Sequence, residues 1–594
     1  MTQLDFGLIG NCQVSALIDQ RGKMIWACMP DPQSPSVFSH LLDEEKGGAW
    51  SFDLIQVSSS EKVGISQEYL KNSAILSTRL ILDRHTEFQI LDFAPRYILG
   101  QSYHRPPQLI RVLKPIRGTP HILLNFQPKL DYGLIEPHLT IHSQVIELKG
   151  DTQKLYLTTL LPLIHITEVI PFQLDTTQVF VLSHAEPYAQ ISVEKIYDEL
   201  GATLKYWRGW SQNIKLSSEL QREVIRSAIT LKLHCFESTG AILAATTTSI
   251  PEGPEPGRTW DYRYCWLRDS YFVISSFYEL GKIEEVEGFL KFFLNLWEAE
   301  GFGVLQPVYG LKGEKLLTEV ELTHLSGFKG LGPVRIGNAA YSMKQLDVYG
   351  EMLLVLTLLF FDERTEGFNR RYVFEVIKRL ASYCMKSFDE PDAGIWEFRG
   401  KHRHFLFSKL MMWAGLFQGA EVAQKLGIKD LSLEWKKMTQ VMSDAIYRHG
   451  WKNQLGYFSQ SYSDHDPDAA NLLFSYFGFL KDQDPKLKKM TQAYFNLLKH
   501  GKGVYRYRSA DDFGIPKTSF IVCSFWMAEA LFRVGEVRSA KTLFQDAVLC
   551  SNHLGLLSED FDPLTGELWG NFPQCYSHAG LIHAANRIFK SIDV

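Results

Sequence analysis

The hydrophobic period of this chain changes once, near residue 190, and that change rules out a doubly wound mixed sheet. Before it, short apolar stretches alternate with a period near two. Leu76, Thr78, Leu80 and Leu82 alternate with Ser77, Arg79 and Ile81, and Phe88 and Ile90 alternate with Glu87 and Gln89. Lys154-Leu155-Tyr156-Leu157-Thr158 and Gln178-Val179-Phe180-Val181 repeat the pattern, with turn signals such as Asp83-Arg84-His85 and Lys149-Gly150-Asp151 between stretches. Half-buried antiparallel strands of this kind predict a β-sandwich.

After residue 190 the period is helical. Leu220, Val224, Ala228, Leu231 and Cys235 lie on one face of a 3.6-residue helix. Several later runs end at a glycine able to take a left-handed cap, namely Gly281, Gly427, Gly450 and Gly535. Another amphipathic run follows several of them at once, which makes antiparallel helix pairs. Val193 to Trp210 reads as a helix bridging the two regimes. Runs of strands followed by runs of helices mean separate domains, and 594 residues exceed one ordinary core. The expected division is a β-sandwich over 1–190, a linker helix over 191–214 and an all-α domain over 215–594.

Charge and cysteine usage narrow the function classes. A net charge of −5 without any Lys/Arg cluster argues against a nucleic-acid partner. The eight cysteines are scattered, without CxxC or zinc-type spacing, so buried free thiols are expected. The longest apolar run, Met352 to Phe361, is far short of the ~18 residues of a membrane span. The first residues lack the basic and apolar regions of a signal peptide, so a soluble cytoplasmic protein is the expectation. His402, His404 and His578 lack a third ligand, and Asp464, Asp466 and Asp468 lack the glycine and terminal glutamate of a calcium loop. No metal and no cofactor are therefore expected.

Two carboxylates stand out. Glu397 sits in Gly394-Ile395-Trp396-Glu397-Phe398-Arg399 and Glu559 in Leu557-Ser558-Glu559-Asp560, each in a short turn followed by a helix-like run. Hydrolysis of a glycosidic bond needs such a pair, one protonated for the leaving oxygen and one ionised to activate water. Aromatic residues make up 13% of the chain, and Trp beside Arg, Asp and Glu offers stacking faces for sugar rings. The strongest such cluster is Thr259-Trp260-Asp261-Tyr262-Arg263-Tyr264-Cys265-Trp266-Leu267-Arg268-Asp269.

That segment and four others occur in order: Pro333-Val334-Arg335-Ile336-Gly337-Asn338, the Glu397 turn, the Glu559 turn, and Gly570-Asn571-Phe572-Pro573-Gln574-Cys575-Tyr576-Ser577-His578. Together they resemble glycoside hydrolase family 15, which holds glucoamylases, glucodextranases and prokaryotic trehalases. The opening Phe6-Gly7-Leu8-Ile9-Gly10-Asn11-Cys12 is similar to that of its bacterial members, so the resemblance spans nearly the whole chain. It implies that the helical domain is an (α/α)6 barrel, for which residues 215–594 leave about 32 residues per helix and loop. It further implies Glu397 as general acid, Glu559 as general base, and Arg268 with Asp269 as the grip on the hydroxyls of a terminal glucose. Trp260, Trp266 and Trp396 are expected to cover the sugar ring, and Tyr309 and Arg335 to form pocket wall. Arg399 is expected to point away from Glu397 and order its loop.

The activity implied is an inverting, exo-acting α-glucoside hydrolase of glucoamylase type acting on a small carbohydrate or glucan end. An α,α-trehalase of the same family is the alternative. A non-catalytic carbohydrate-sensing module, like the barrel of phosphorylase kinase regulatory subunits, is the second alternative. Retention of both carboxylates and of the Arg-Asp pair favours an enzyme.

Overall fold

The computed structural model describes residues 4–55, 63–214, 220–301, 303–365, 367–400 and 402–589. The N-terminal part is two antiparallel sheets packed face to face. One runs in the order Gly7–Gly10, Ser15–Ile18, Met24–Cys28, Ala49–Leu54, His121–Gln127 and Phe172–Gln173, with Ser36–Phe38 also paired to Met24–Cys28. The other runs His138–Ile141, Val145–Lys149, Lys154–Thr159, Gln178–His184, Gln108–Arg117, Glu87–Phe93, Leu76–Ile81 and Gly64–Tyr69. Between them Phe52 of the first sheet meets Phe180 of the second at 5.2 Å, and Trp50 meets the same ring at 6.2 Å.

The central strands of the larger sheet are buried on both faces. Ile90, Leu109, Leu113, Phe180 and Leu182 point into the sandwich, while Leu91, Phe93, Ile110, Val112, Val179 and Val181 form a second core outside it. The helix Val193–Ser211 covers this second face with Val193, Ile196, Tyr197, Leu200 and Leu204. Its start is set by Ser192, whose extended backbone lets the side chain accept from the amide of Lys195 at 3.2 Å.

The helical part closes on itself. Inner helices Leu267–Glu279, Asp347–Phe361, Leu406–Lys425, the short segment 469–476, Ile521–Arg533 and Cys575–Phe589 contact one another in that order, and the last contacts the first. Outer helices Gln221–His234, Ile283–Ala299, Arg370–Ser387, Lys429–Ala445, Pro485–Leu498 and Val537–Leu549 alternate with them along the chain, so the architecture is an (α/α)6 barrel. Gly350 and Gly415 allow two inner helices to cross closely. A Cβ on Gly350 would lie 2.0 Å from the Met411 carbonyl oxygen, and one on Gly415 would lie 2.7 Å from that of Gly350. A glycine inside a helix costs about 1 kcal/mol in propensity, and here close backbone packing offsets it.

Gly281, Gly427 and Gly535 take the left-handed conformation at helix ends, as expected. Gly450 does not. It closes a π-type turn, Ile446–Gly450, with negative φ, and glycine is needed there because a Cβ would meet Leu406 at 2.6 Å. All eight cysteines are buried free thiols. Among the described residues no helix is long and apolar enough to cross a membrane.

A buried ionic junction ties sandwich, linker and barrel together. Lys232, 2% exposed, pairs with Glu237 and, at 2.5 Å, with Glu285. Glu237 also accepts from Arg96 at 2.5 Å, and Glu285 accepts from the linker's Trp210 indole at 2.8 Å. Burial works against charge on Glu237, but Lys232 and Arg96 outweigh it and hold this carboxyl down at about 2. Its contribution to stability is therefore complete above the ordinary value of 4.5 and is lost only as pH falls towards about 2. Lys232→Ala leaves the buried Glu285 without its cation, while Glu237 keeps Arg96, and should cost ~3–5 kcal/mol in guanidinium unfolding. Lys378→Ala, which removes a surface pair with Glu375, should cost less than ~1 kcal/mol.

Candidate active site

All six inner helices point their N-termini at one end of the barrel, where a cavity of about 860 Å³, open mouth included, is lined by residues from the loops feeding those helices. Trp266, Arg268 and Asp269 begin the first inner helix and Gln345 and Asp347 the second. Glu397 precedes the third, Asp468 caps the fourth, Arg506 and Phe520 precede the fifth, Glu559 and Gln574 precede the sixth, and Tyr576 lies in its first turn. Each N-terminus carries a partial positive charge, and six of them converge on a site rich in carboxylates.

The turn carrying Glu397 is held from both sides. Gly394 has φ +68°, and a Cβ there would lie 2.6 Å from the Phe405 ring, which stacks on Phe398 at 5.1 Å. Glu397 itself has φ +59°, a strained conformation for a residue with a side chain, and such strain gathers at functional sites. Its Oε1 accepts three hydrogen bonds, from the Trp266 indole at 2.7 Å, Arg268 Nη2 at 3.1 Å and Gln345 Nε2 at 3.1 Å. Among the described residues no hydrogen bond to Oε2 is found, so that oxygen is left to the cavity. Arg399 turns away to Glu319 at 2.9 Å and lies over the Trp260 ring at 4.6 Å.

Across the cavity, the Glu559 loop is part of a small sheet of Ser519–Phe520, Asp560–Phe561 and Leu568–Trp569. Gly570, at φ +76°, passes so close that a Cβ would lie 2.6 Å from that of Glu559. His578, buried, accepts from the amide of Leu557 at 3.1 Å and steadies the start of the loop. Glu559 Oε1 accepts from the Tyr262 hydroxyl at 2.9 Å, while Oε2 is buried without a protein partner among the described residues. Burial pushes Glu559 well above the ordinary carboxyl range, and the Glu252 and Asp560 carboxylates push it further. Arg506 and the Tyr262 hydrogen bond act in the opposite direction.

Arg268 lies in the cavity wall, but its guanidinium is largely taken by protein. Nη1 donates to Gln345 at 2.6 Å and to Asp347 at 3.1 Å, and Nη2 donates to Glu397. Asp269 lines the cavity in the first helical turn, its side chain without a hydrogen-bond partner among the described residues, and burial raises its carboxyl to about 7 against the pull of Arg268. Beneath them Glu351 has both oxygens buried and without a hydrogen-bond partner among the described residues. Burial first and Asp347 second push it well above the ordinary carboxyl range, against the pull of Arg268.

Trp260, Trp266 and Trp396 all line the cavity. The Trp396 indole donates to Asp468 at 2.9 Å, and Trp260 donates to Glu252 at 2.9 Å. Two expected wall residues lie elsewhere. Tyr309 is fully buried outside the cavity, paired in register with Cys265, and its hydroxyl accepts from the amide of Gln306 at 2.9 Å. Arg335 stands behind Trp260, 5.0 Å from its ring, and its guanidinium is spent on the Gly257 and Thr259 carbonyls and Glu321. Conversely, Tyr262, Glu252, Gln345 and Arg506 line or order the site without having been singled out. Tyr262 and Arg506 carried a signal, since each lies in an aromatic–arginine run, whereas Gln345 and Glu252 had none.

The loop bearing Trp260, Tyr262 and Trp266 is buttressed by the sandwich. Arg263, fully buried, grips Asp261 bidentately at 2.9 and 2.7 Å. It also donates to the Tyr132 hydroxyl at 2.9 Å and the Ser34 carbonyl at 3.2 Å, both in the N-terminal domain. Asn571 joins this loop to the sixth inner helix by donating to the Trp260 carbonyl at 2.9 Å.

Residues 220–586 match the family described as glycosyl hydrolases family 15, and residues 4–169 match the trehalase-like N-terminal domain. A trehalase of Mycolicibacterium smegmatis is 32% identical over 99% of this chain and 91% of its own length. One of Mycobacterium tuberculosis is 31% identical over 99% and 89%. A bacterial glucoamylase solved in complex with acarbose superposes with a TM-score of 0.72 at 13% identity, covering 99% of this chain and 94% of that one.

Arg263→Met leaves Asp261 buried without its cation. It should cost ~3–5 kcal/mol and shift the tryptophan emission of the site loop, measured by chemical unfolding and fluorescence.

Proposed function

The chain belongs to glycosyl hydrolase family 15, a glycosidase family, and from that premise we propose that it hydrolyses α,α-trehalose to two glucose molecules, inverting the attacked anomeric carbon. The observation that carries this reading over a glucoamylase-like one is the match, along nearly the full chain, to relatives named trehalase. Likeness to the bacterial glucoamylase is one of fold. The ranking read from sequence, glucoamylase first and trehalase second, is accordingly reversed.

In this reading Glu397 is the general acid. Its three protein donors all occupy Oε1, so the proton rests on Oε2, the oxygen facing the cavity, and passes to the oxygen between the two sugars. Glu559 is the general base. Its unpartnered Oε2 is the acceptor for a proton of the attacking water, and Tyr262 orients the carboxylate from the other oxygen. As the C–O bond breaks, water adds to the opposite face of the ring through an oxocarbenium-like transition state. Asp269 and the free edge of Arg268 bind hydroxyls of the reacting glucose, with Trp260 and Trp396 against its C–H faces.

Inversion has a specific signature on trehalose. The attacked glucose leaves as the β anomer and the departing one as the α anomer, so early NMR spectra should show the two in equal amount. Two α anomers would mean retention. Glu397→Gln and Glu559→Gln should each lower kcat by ~10³ or more without loss of folding, and near-normal turnover in either would remove that residue from its role. A panel of trehalose, maltose, isomaltose and kojibiose, read by glucose release, tests the linkage.

The pH profile follows from the environment of Glu559. A base must be ionised, and its carboxyl is raised, so kcat/KM should fall as pH drops through a limb lying above the ordinary 4.5. Tyr262→Phe removes a hydrogen bond worth ~1.5–3 kcal/mol to the ionised form. It should move that limb up by about one pH unit or more, whereas an unmoved limb would assign the limb to another group.

A further inference from the structure

The mouth of the cavity is spanned by a tight hairpin whose tip is Asp512-Phe513. Its turn closes with two backbone hydrogen bonds between Asp511 and Gly514, at 3.0 and 3.2 Å. Asp511 fastens it to one wall by accepting from Arg258 at 2.5 Å, and within the hairpin it accepts from the Tyr507 hydroxyl at 2.6 Å. Asp512 fastens the tip to the opposite wall, accepting from the amides of Arg399 at 2.5 Å and Gly400 at 3.2 Å, just beyond Glu397. The hairpin thus bridges the Glu397 turn and the loop that carries Trp260.

Phe513 is 41% exposed although it lines the cavity. Its ring meets Trp260 edge-on at 5.0 Å and lies within 6 Å of both Arg258 and Arg399. An aromatic residue left open beside a second aromatic and two guanidinium groups presents the apolar and polar surface that a sugar ring offers. Position adds to this. In the proposed reading the reacting glucose lies between Glu397 and Glu559, which puts the leaving sugar on the Glu397 side, towards the hairpin that Asp512 ties to Arg399.

We propose that the hairpin 507–515 is a clasp that seats a single leaving-group sugar against Phe513 and Trp260 and blocks passage of any further residue of a glucan chain. The inference rests on the trehalose-hydrolase reading and deepens it, because it names what restricts the substrate to a disaccharide. It concerns chain length and not linkage.

The test compares kcat/KM for trehalose and maltose with that for maltotriose and maltoheptaose, in the wild type and in Asp512→Ala and Phe513→Ala. Both positions are exposed, so both variants should melt within about 2 °C of the wild type. In the wild type maltose, which shares the α-1,4 bond, should exceed maltoheptaose by at least 100-fold. Asp512→Ala, which frees the tip, should narrow that ratio at least 10-fold by raising the long-chain value. Phe513→Ala should raise KM for the disaccharide at least 5-fold. A wild type that cleaves maltoheptaose as fast as a disaccharide, or a ratio unchanged in Asp512→Ala, would overturn the clasp and leave the hydrolase standing. A wild type that releases glucose from none of these sugars would remove the hydrolase reading and the clasp together.

Discussion

The buried pair of Asp261 and Arg263 is where the two domains become one site. The pair lies two residues apart in a loop that also carries Trp260, Tyr262 and Trp266. Arg263 uses the rest of its fork on Tyr132 and on the Ser34 carbonyl of the sandwich. A bidentate guanidinium–carboxylate contact in a dry interior tolerates little displacement. The loop is therefore held at the height at which Tyr262 reaches Glu559 and Trp266 reaches Glu397. The N-terminal domain thus buttresses, from behind, the loop that lines the candidate site.

The barrel supplies the complementary constraint, electrostatic in kind. Six helix N-termini face the same small volume, and unsatisfied amides at each favour negative charge nearby. Against them stand Asp269, Asp347, Glu351, Glu397, Asp468 and Glu559, with few cations among them. The structure balances the excess in two ways. Arg268 is shared between Asp347 and Glu397, and burial favours the neutral form of Glu351. As a result the two carboxylates facing each other across the cavity have different surroundings, three donors on one oxygen of Glu397 against a single hydroxyl on Glu559.

The Glu397 and Glu559 loops both depend on glycine for approach rather than for flexibility. Gly394 lets the Glu397 turn lie on the Phe405 ring, and Gly570 lets the neighbouring strand pass against Glu559, each within a distance that a Cβ would violate. Glu397 takes a left-handed backbone that its own side chain disfavours, and the stacked pair of Phe398 and Phe405 holds it there. The strain falls on the residue whose side chain must project from a turn instead of lying along a helix.

What the sequence determined by itself is what depends on local periodicity and on short motifs. The switch from alternation to a 3.6-residue period near residue 190 determined a strand domain followed by a helical one, and the Val193 to Trp210 run determined the connecting helix. The polar aromatic segments marked Glu397, Glu559, Asp269 and the three tryptophans, because such residues have no reason to occur together in a core. Tertiary structure decided the rest. Strands that read as half-exposed are covered on both faces, because the linker helix folds back over the outer side, a contact between segments far apart in sequence. Arg335 and Tyr309 stand near the motif yet outside the cavity, because pairing in register with Glu321 and Cys265 turns them to the far side of their strands. Gln345 and Glu252 carry no local signature, since their roles arise only from what the barrel brings beside them: Arg268 and Glu397 for one, Arg506 and Trp260 for the other. Periodicity shows which face of an element is buried, and only closure of the ring decides which side chains share the space at its mouth.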